Sequence, residues 1–298
     1  MEPFITLLES ERCTNLLLTL AHTLWQGALA AGILFLYLRQ TPAEAVGKRQ
    51  AAGIAALGMI VLAALLTWSI LGYEQPAAAQ DDVAPTQLAA DAPQAPEPTA
   101  SKIASPDREI RTIPHPPRSR QIWIMGAWLA GVGVMFLRMV AVVFGGSRLR
   151  GQCRPLENVE TLALVEQLRA GMGIGRRIRV LVGERISTPG VIGCFWPALL
   201  LPASMLSGIP ADDLRAILVH ELAHIRRYDY LINFLQMVIE ALLFFNPAVW
   251  WIGRQIRIER EACCDAAGVQ WIGQRDKYAE ALVAWAHRLG TAAPAVGF

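Results

Sequence analysis

Leu214-Arg-Ala-Ile-Leu-Val-His-Glu-Leu-Ala-His-Ile225 carries an H-E-x-x-H motif, His220 to His224, inside a run whose apolar residues recur at helical spacing. On a helix, residues four apart share a face, so the two imidazoles point at one spot and can share a tetrahedral cation. Glu221 lies about 100 degrees further round. From there it can address a water on that cation rather than the cation itself, which is the place of a general base. Pro210-Ala-Asp-Asp213 starts such a helix well, because proline suits the first turn and two acids suit the positive end of the dipole. The plain alternative is a pair of histidines that cap or pair on an amphipathic helix.

A third ligand is sought downstream. Arg260-Glu261-Ala-Cys-Cys-Asp265 lies in a second polar helical stretch, with Glu261 placed 37 residues after His224. Glu261 is expected to supply the carboxylate ligand, and Asp265, one turn on, to hydrogen-bond a ligand imidazole and fix its tautomer. Two histidines, one glutamate and a water make a catalytic Zn2+ site, since a structural site closes the fourth position with protein. Cys263 and Cys264 could offer thiolates, but Glu261 already completes the set, and small residues suit close helix packing.

The run His220-Glu-Leu-Ala-His-Ile-Arg-Arg-Tyr-Asp229, then Asn246-Pro-Ala-Val-Trp-Trp251, then Glu261-Ala-Cys-Cys-Asp265 resembles the membrane zinc peptidases of the BlaR/MecR antirepressor type. Thr188-Pro-Gly-Val-Ile-Gly193 and Leu199-Leu-Leu-Pro202 resemble that family's strands before the metal helix. The resemblance is strong from about Arg150 onward and weaker before it. It implies a gluzincin fold, peptide-bond hydrolysis, and signalling across a bacterial membrane by cleavage of a cytoplasmic repressor. Sensor members of the family carry an external penicillin-binding domain after a fourth span. This sequence has neither S-x-x-K nor a fourth clear span, so antibiotic sensing is not carried over.

Composition bounds the answer independently. With 54% apolar and 17% charged residues in 298, and a mean hydropathy of +0.35, the chain is too apolar for an ordinary soluble enzyme. The net charge of +2 and the lack of a basic stripe with interleaved aromatics argue against a direct nucleic-acid partner. Five cysteines, odd in number, are not spaced as a disulfide framework.

A first span is expected over residues 16–38 and a second over 51–73, each long enough for a bilayer core of about 30 Å. Arg39, Lys48 and Arg49 in the loop between them mark the cytoplasmic side, which puts the N-terminus outside. The acidic leader Glu2, Glu9, Glu11 and the long apolar run do not suit a cleaved signal peptide, so residues 1–73 are expected to remain as a transmembrane hairpin. His22 and Gln26 within it are read as helix-packing contacts or part of a relay. Residues 74–121 hold half of the 18 prolines and no apolar periodicity, and are expected to form a disordered external linker, a spacer or a sensing loop.

A third span is expected over 122–145, with Gly126, Gly131 and Gly133 available for close helix contact and Arg148, Arg150 and Arg154 marking its cytoplasmic end. Residues 146–298 then read as a cytoplasmic α+β peptidase domain: a helix near 156–170, a strand at Arg179–Val182, a small sheet through Ser187–Pro202, and a last helix near 276–289 bearing Tyr278 and His287, candidates for oxyanion stabilisation or packing. Residues near 191–194 are candidates for aligning a substrate by strand addition. Tyr230 to Trp251 has the apolar content of another span. If it crossed the bilayer, Glu261 would lie opposite His220, and ligands must come within about 2 Å of one ion. A membrane-associated helix over about 230–251 that turns back at Asn246-Pro247, or a buried core helix, satisfies this.

The expected fold is thus mostly α and membrane-bound, with transmembrane helices and a cytoplasmic gluzincin-like domain. The leading reading is a multi-pass zinc metalloendopeptidase of the bacterial inner membrane acting on a protein substrate, a transcriptional repressor, with a homodimer left open. A housekeeping membrane protease of the prenyl-protein or quality-control type, and a non-enzymatic transducer with a structural metal, remain as alternatives.

Overall fold

Three long helices open the chain: α1 (Glu11–Gln40), α2 (Val46–Tyr73) and α3 (Arg118–Gly151). Each is long and apolar enough to cross a membrane. The computed structural model describes residues 11–73, 118–193, 196–206 and 209–290. The expected linker over 74–121 therefore lies outside the described residues apart from its last four, as does Cys194 of the expected substrate strand.

α1 and α2 form an antiparallel pair. Gln26 of α1 donates to Thr67 Oγ1 of α2 (2.9 Å) and Asn15 to Leu71 O (3.2 Å), so the polar residues of this apolar hairpin satisfy each other across it. His22 instead accepts from Trp25 on its own helix (2.9 Å). Of the three glycines in α3 expected to permit close contact, only Gly131 does so: a Cβ there would run into the ring of Phe244, whereas Gly126 and Gly133 have nothing within 4 Å.

The polar-side lobe begins with β1 (Arg154–Pro155), α4 (Val159–Gly171), β2 (Arg179–Gly183), β3 (Gly190–Ile192) and β4 (Ala198–Pro202). The sheet order is β1-β2-β4-β3, with β2 and β4 parallel (Leu181 opposite Leu200) and β3 antiparallel to β4 (Val191 opposite Leu199). Ala198-Leu-Leu-Leu-Pro202 is buried at every position. That is why it reads as a continuous apolar run rather than an alternating one. A short α5 (Ala203–Leu206) leads to α6 (Ala211–Arg226), whose first turn holds Asp212 and Asp213 after Pro210 in the cap position. Ile217, Leu218, Leu222 and Ile225 of α6 pack on Val180, Val182, Leu199 and Leu201 of the sheet and on Leu168 of α4. The motif helix is buried nearly all round.

The apolar stretch 230–251 is not one helix. α7 (Asp229–Leu242) ends before a turn, and α8 (Pro247–Ile272) starts anew with Pro247 in its first turn and Asn246 as cap, its side chain accepting from Ala248 N at 3.0 Å. α8 then runs unbroken through Glu261 to Gly273, whose φ of 74° suits the left-handed stop. The tip of this α7–α8 hairpin docks on the long apolar helices. Asn246 donates to Thr23 O (2.8 Å), a Cβ at Gly27 would meet Asn246 Nδ2 at 2.8 Å, and Trp128 donates to Leu242 O (3.2 Å). Leu34, Leu57, Ile60, Leu243, Val249, Ile252 and Ile256 form a shared core there. A core helix enclosed by the sheet lobe is not what is found, because the apolar face of α7–α8 matches α1, α2 and α3 instead. α9 (Arg275–Gly290) closes the fold against α6 and α8.

Candidate metal centre

His220 and His224 sit one turn apart on α6, with imidazole centroids 5.0 Å apart. They are the half-open positions on a helix whose other faces are buried. α8 crosses in front of them, so Glu261 Oε2 lies 3.6 Å from His220 Nε2 and 3.7 Å from His224 Nε2. Four ligands at about 2.0–2.1 Å from Zn2+ in a tetrahedron stand about 3.4 Å from one another. The three donor atoms thus match a metal cluster in type and spacing. Glu261 is 54% exposed, which leaves the fourth side of the cluster towards solvent.

The back of each imidazole is held as well. His220 Nδ1 lies 3.1 Å from Asp265 Oδ1 and 3.1 Å from the Tyr278 hydroxyl, which itself donates to Asp265 (3.1 Å). His224 Nδ1 lies 2.9 Å from Asp229 Oδ2. An Nδ1–H donated to a carboxylate leaves the Nε2 lone pair of a neutral imidazole free for a cation, and a carboxylate beside each Nδ1 favours that tautomer. Cys264 Sγ also approaches His224, at 3.3 Å, but on the Nδ1 side, away from Glu261. Burial and the nearby Asp229 push its thiol far up, so it is a neutral packing group rather than a thiolate. Cys263 is buried, and both cysteines are free.

Electrostatics within the cluster are strongly coupled. Burial disfavours a charged His220, but its hydrogen bonds to Asp265 and Glu261 outweigh this and raise it to about 10. Glu261 is held low, chiefly by its hydrogen bond with His220. Asp265 is also low: burial opposes this, but the hydrogen bonds from His220 and Tyr278 prevail. Glu221, 9% exposed, is pushed up by burial against the pull of both histidines. Burial and the charge of Asp265 push the Tyr278 phenol up.

Asp229, in direct contact with His224, had no assigned place in the sequence reading. Asp229 is brought to His224 by a turn in which Tyr228 adopts φ 58°. A non-glycine residue there costs roughly 1–3 kcal/mol. Arg176 braces the turn, stacking 4.5 Å from the Tyr228 ring and donating to Ile225 O at 2.6 Å, at the end of α6. Tyr278, considered for the oxyanion, lies on the Nδ1 side of His220, opposite the Glu261 side. It packs against Gly268, where a Cβ would collide with its ring. His287 is exposed near the end of α9.

The model of the BlaR1 peptidase M56 family matches residues 23–297. The chain belongs to that family. This M56 chain is 27% identical over 158 residues to the regulatory protein BlaR1 of Bacillus licheniformis, covering 52% of the chain and 26% of the relative. It is 23% identical over 110 residues, 36% of the chain and 19% of the relative, to the methicillin resistance mecR1 proteins of Staphylococcus aureus and Staphylococcus epidermidis. The chain thus aligns with about a quarter or less of these relatives' length. Family and apolar helices together mark a bacterial membrane protein of a metallopeptidase family, which implies a metal. The donor set at His220, His224 and Glu261 fits one.

Proposed function

We propose that this M56 chain is a zinc metalloendopeptidase of the gluzincin type, held in the inner membrane, that cleaves a cytoplasmic protein, a transcriptional repressor, in transmembrane signalling. The observation that carries the reading is the convergence of two Nε2 atoms and one carboxylate beside a buried glutamate. His220, His224 and Glu261 hold the metal, and Asp265 orients His220. When bound, Zn2+ there supplies a Lewis acid for the scissile carbonyl and acidifies a water. Glu221 takes a proton onto its carboxylate and returns it to the leaving amine. Its burial keeps bulk water from competing for that proton.

A substrate strand has a place to bind. β3 is an edge of the sheet, and Val191 packs against the core that includes α6. An extended peptide added to that edge would run past the metal helix, with backbone hydrogen bonds fixing its register.

The charges support a cytoplasmic site. Arg49 in the first turn of α2 pairs with Glu259, two residues before Glu261, and Arg150 at the end of α3 donates to Trp196 O of the sheet lobe. The basic ends of the apolar helices and the metal cluster therefore share one side, which the positive-inside rule assigns to the cytoplasm. Depth agrees. The tip at Asn246 meets α1 at Thr23, close to the middle of that helix. Glu261, 15 residues beyond Asn246 along α8, lies about 22 Å away, against about 15 Å for half a hydrocarbon core. The active site would sit just inside the membrane surface.

The test is proteomics on cells expressing the wild-type chain or Glu221→Gln. A repressor fragment that depends on intact Glu221 is expected. Indistinguishable fragment patterns in the two strains would contradict the reading.

A further inference from the structure

The turn behind the H-E-x-x-H helix is gripped by the membrane hairpin. Gln50, in the first turns of α2 and 2% exposed, accepts a hydrogen bond from Arg227. Arg227 Nε lies 3.5 Å from Asp229 Oδ2, and the same oxygen faces His224 Nδ1 at 2.9 Å. Next to Gln50, Arg49 bonds Glu259 of α8 at 2.8 Å and the carbonyls of Leu38 and Thr41 at 2.9 and 3.0 Å. One turn of α2 therefore touches the supports of both helices that carry the metal cluster.

Gln50 and Asp229 are buried at the two ends of this network, Arg227 between them is half-buried, and the network is only partly satisfied. Gln50 Nε2, Arg227 Nε and Asp229 Oδ1 have no hydrogen-bond partner although each is enclosed. Buried polar groups without partners are costly, and apolar side chains of similar size would pack the same space at lower cost. What the polar residues provide is a directional chain from α2 to an imidazole. A carboxylate as enclosed as Asp229, 3% exposed, needs its cation, and that cation is aimed by Gln50.

We propose that Asp229, Arg227 and Gln50 are positioning residues of the metal site, with Gln50 on the membrane hairpin setting the orientation of His224 through the Arg227–Asp229 pair. This rests on the reading of His220, His224 and Glu261 as metal ligands. It makes α2 part of the metal's support, although no atom of α2 reaches the cluster. Displacement of α2 against α6 then changes how firmly the metal is held.

The test uses the full chain in nanodiscs, stripped by chelation and titrated with Co2+, whose visible bands report ligand geometry. Zn2+ competition gives affinity, and thermal unfolding of the stripped protein reports the fold. Asp229→Asn and Gln50→Leu should each shift the bands and weaken binding about tenfold. Gln50→Glu, which keeps an acceptor for Arg227, should restore both. The double variant Gln50→Leu/Asp229→Asn should bind no more weakly than Asp229→Asn alone, because the two act in series. Wild-type bands and affinity in Gln50→Leu would overturn the proposal. So would effects that multiply, or a lowered unfolding temperature with unchanged bands. His220→Ala/His224→Ala separates the two claims: Co2+ binding that survives it sinks the ligand assignment itself, whereas its loss beside an unaffected Gln50→Leu sinks only the role of α2.

Discussion

At the scale of single residues, the proposed metal cluster rests on spacing on one helix and a carboxylate on another. His220, Glu221 and His224 could be read from the sequence because the i, i+4 relation is a property of the helix alone. Glu261 followed from the need for a third ligand, and Asp265 from its place one turn on. Asp229 and Tyr278 could not be read in the same way. Asp229 reaches His224 only because Tyr228 bends the chain at positive φ, and nothing in Arg226-Arg-Tyr-Asp229 announces that bend. An acid five residues after the second histidine, opening the next helix, is the signal that could have found it. The coupling around His220 gives a signed pH dependence. Its folded value of about 10 exceeds the ordinary 6.5, so in the metal-free protein its contribution to stability is complete below pH 6.5 and is lost as pH rises through about 10. The unfolding temperature of the chelated protein should fall between pH 7 and pH 10, and His220→Asn should flatten that slope. An equal slope in the variant would place its origin elsewhere.

At the scale of elements, the α7–α8 hairpin decides the geometry. Its apolar content alone allowed a buried core helix or a membrane-associated one, since periodicity cannot tell what covers an apolar face. Asn246-Pro247 was readable as a break because proline cannot sit inside a helix and suits its first turn. The partner of the tip was not readable. It rests on Asn246, fully buried, which caps α8 and bonds Thr23 O across 223 positions of sequence. Asn246→Ala removes a cap and leaves the Thr23 carbonyl without this donor. It should cost roughly 1–2 kcal/mol, measured as a lowered unfolding midpoint in detergent. An unchanged midpoint would mean that the tip is held by its apolar contacts alone. The sheet shows a similar limit. Arg179–Val182 and Leu199–Pro202 read as strands from their apolar runs, but the two-residue β1 was too short to leave a pattern.

At the scale of the whole molecule, the arrangement follows from one requirement: groups distant in sequence must meet on one side of the apolar helices. The three long helices were legible because a run of about 20 consecutive apolar residues fits a bilayer core and is too long for an ordinary buried helix. Their packing was less so, as of Gly126, Gly131 and Gly133 only Gly131 has a close neighbour. The proposed topology can be probed with a membrane-impermeant thiol reagent. A cysteine at Ala43, in the α1–α2 turn, should be labelled only after cells are opened. One at Tyr73, which is 88% exposed at the other end of α2, should be labelled in intact spheroplasts. Reversed labelling would put the metal cluster outside.

The most direct test of the central claim is the zinc content of purified full-length chains, wild type, Glu221→Gln and Glu261→Ala, determined by mass spectrometry after gel filtration. The account predicts one zinc per chain in the wild type and in Glu221→Gln, and a loss of most of it in Glu261→Ala. Full zinc in Glu261→Ala, or none in Glu221→Gln, would contradict the assignment of ligand and base.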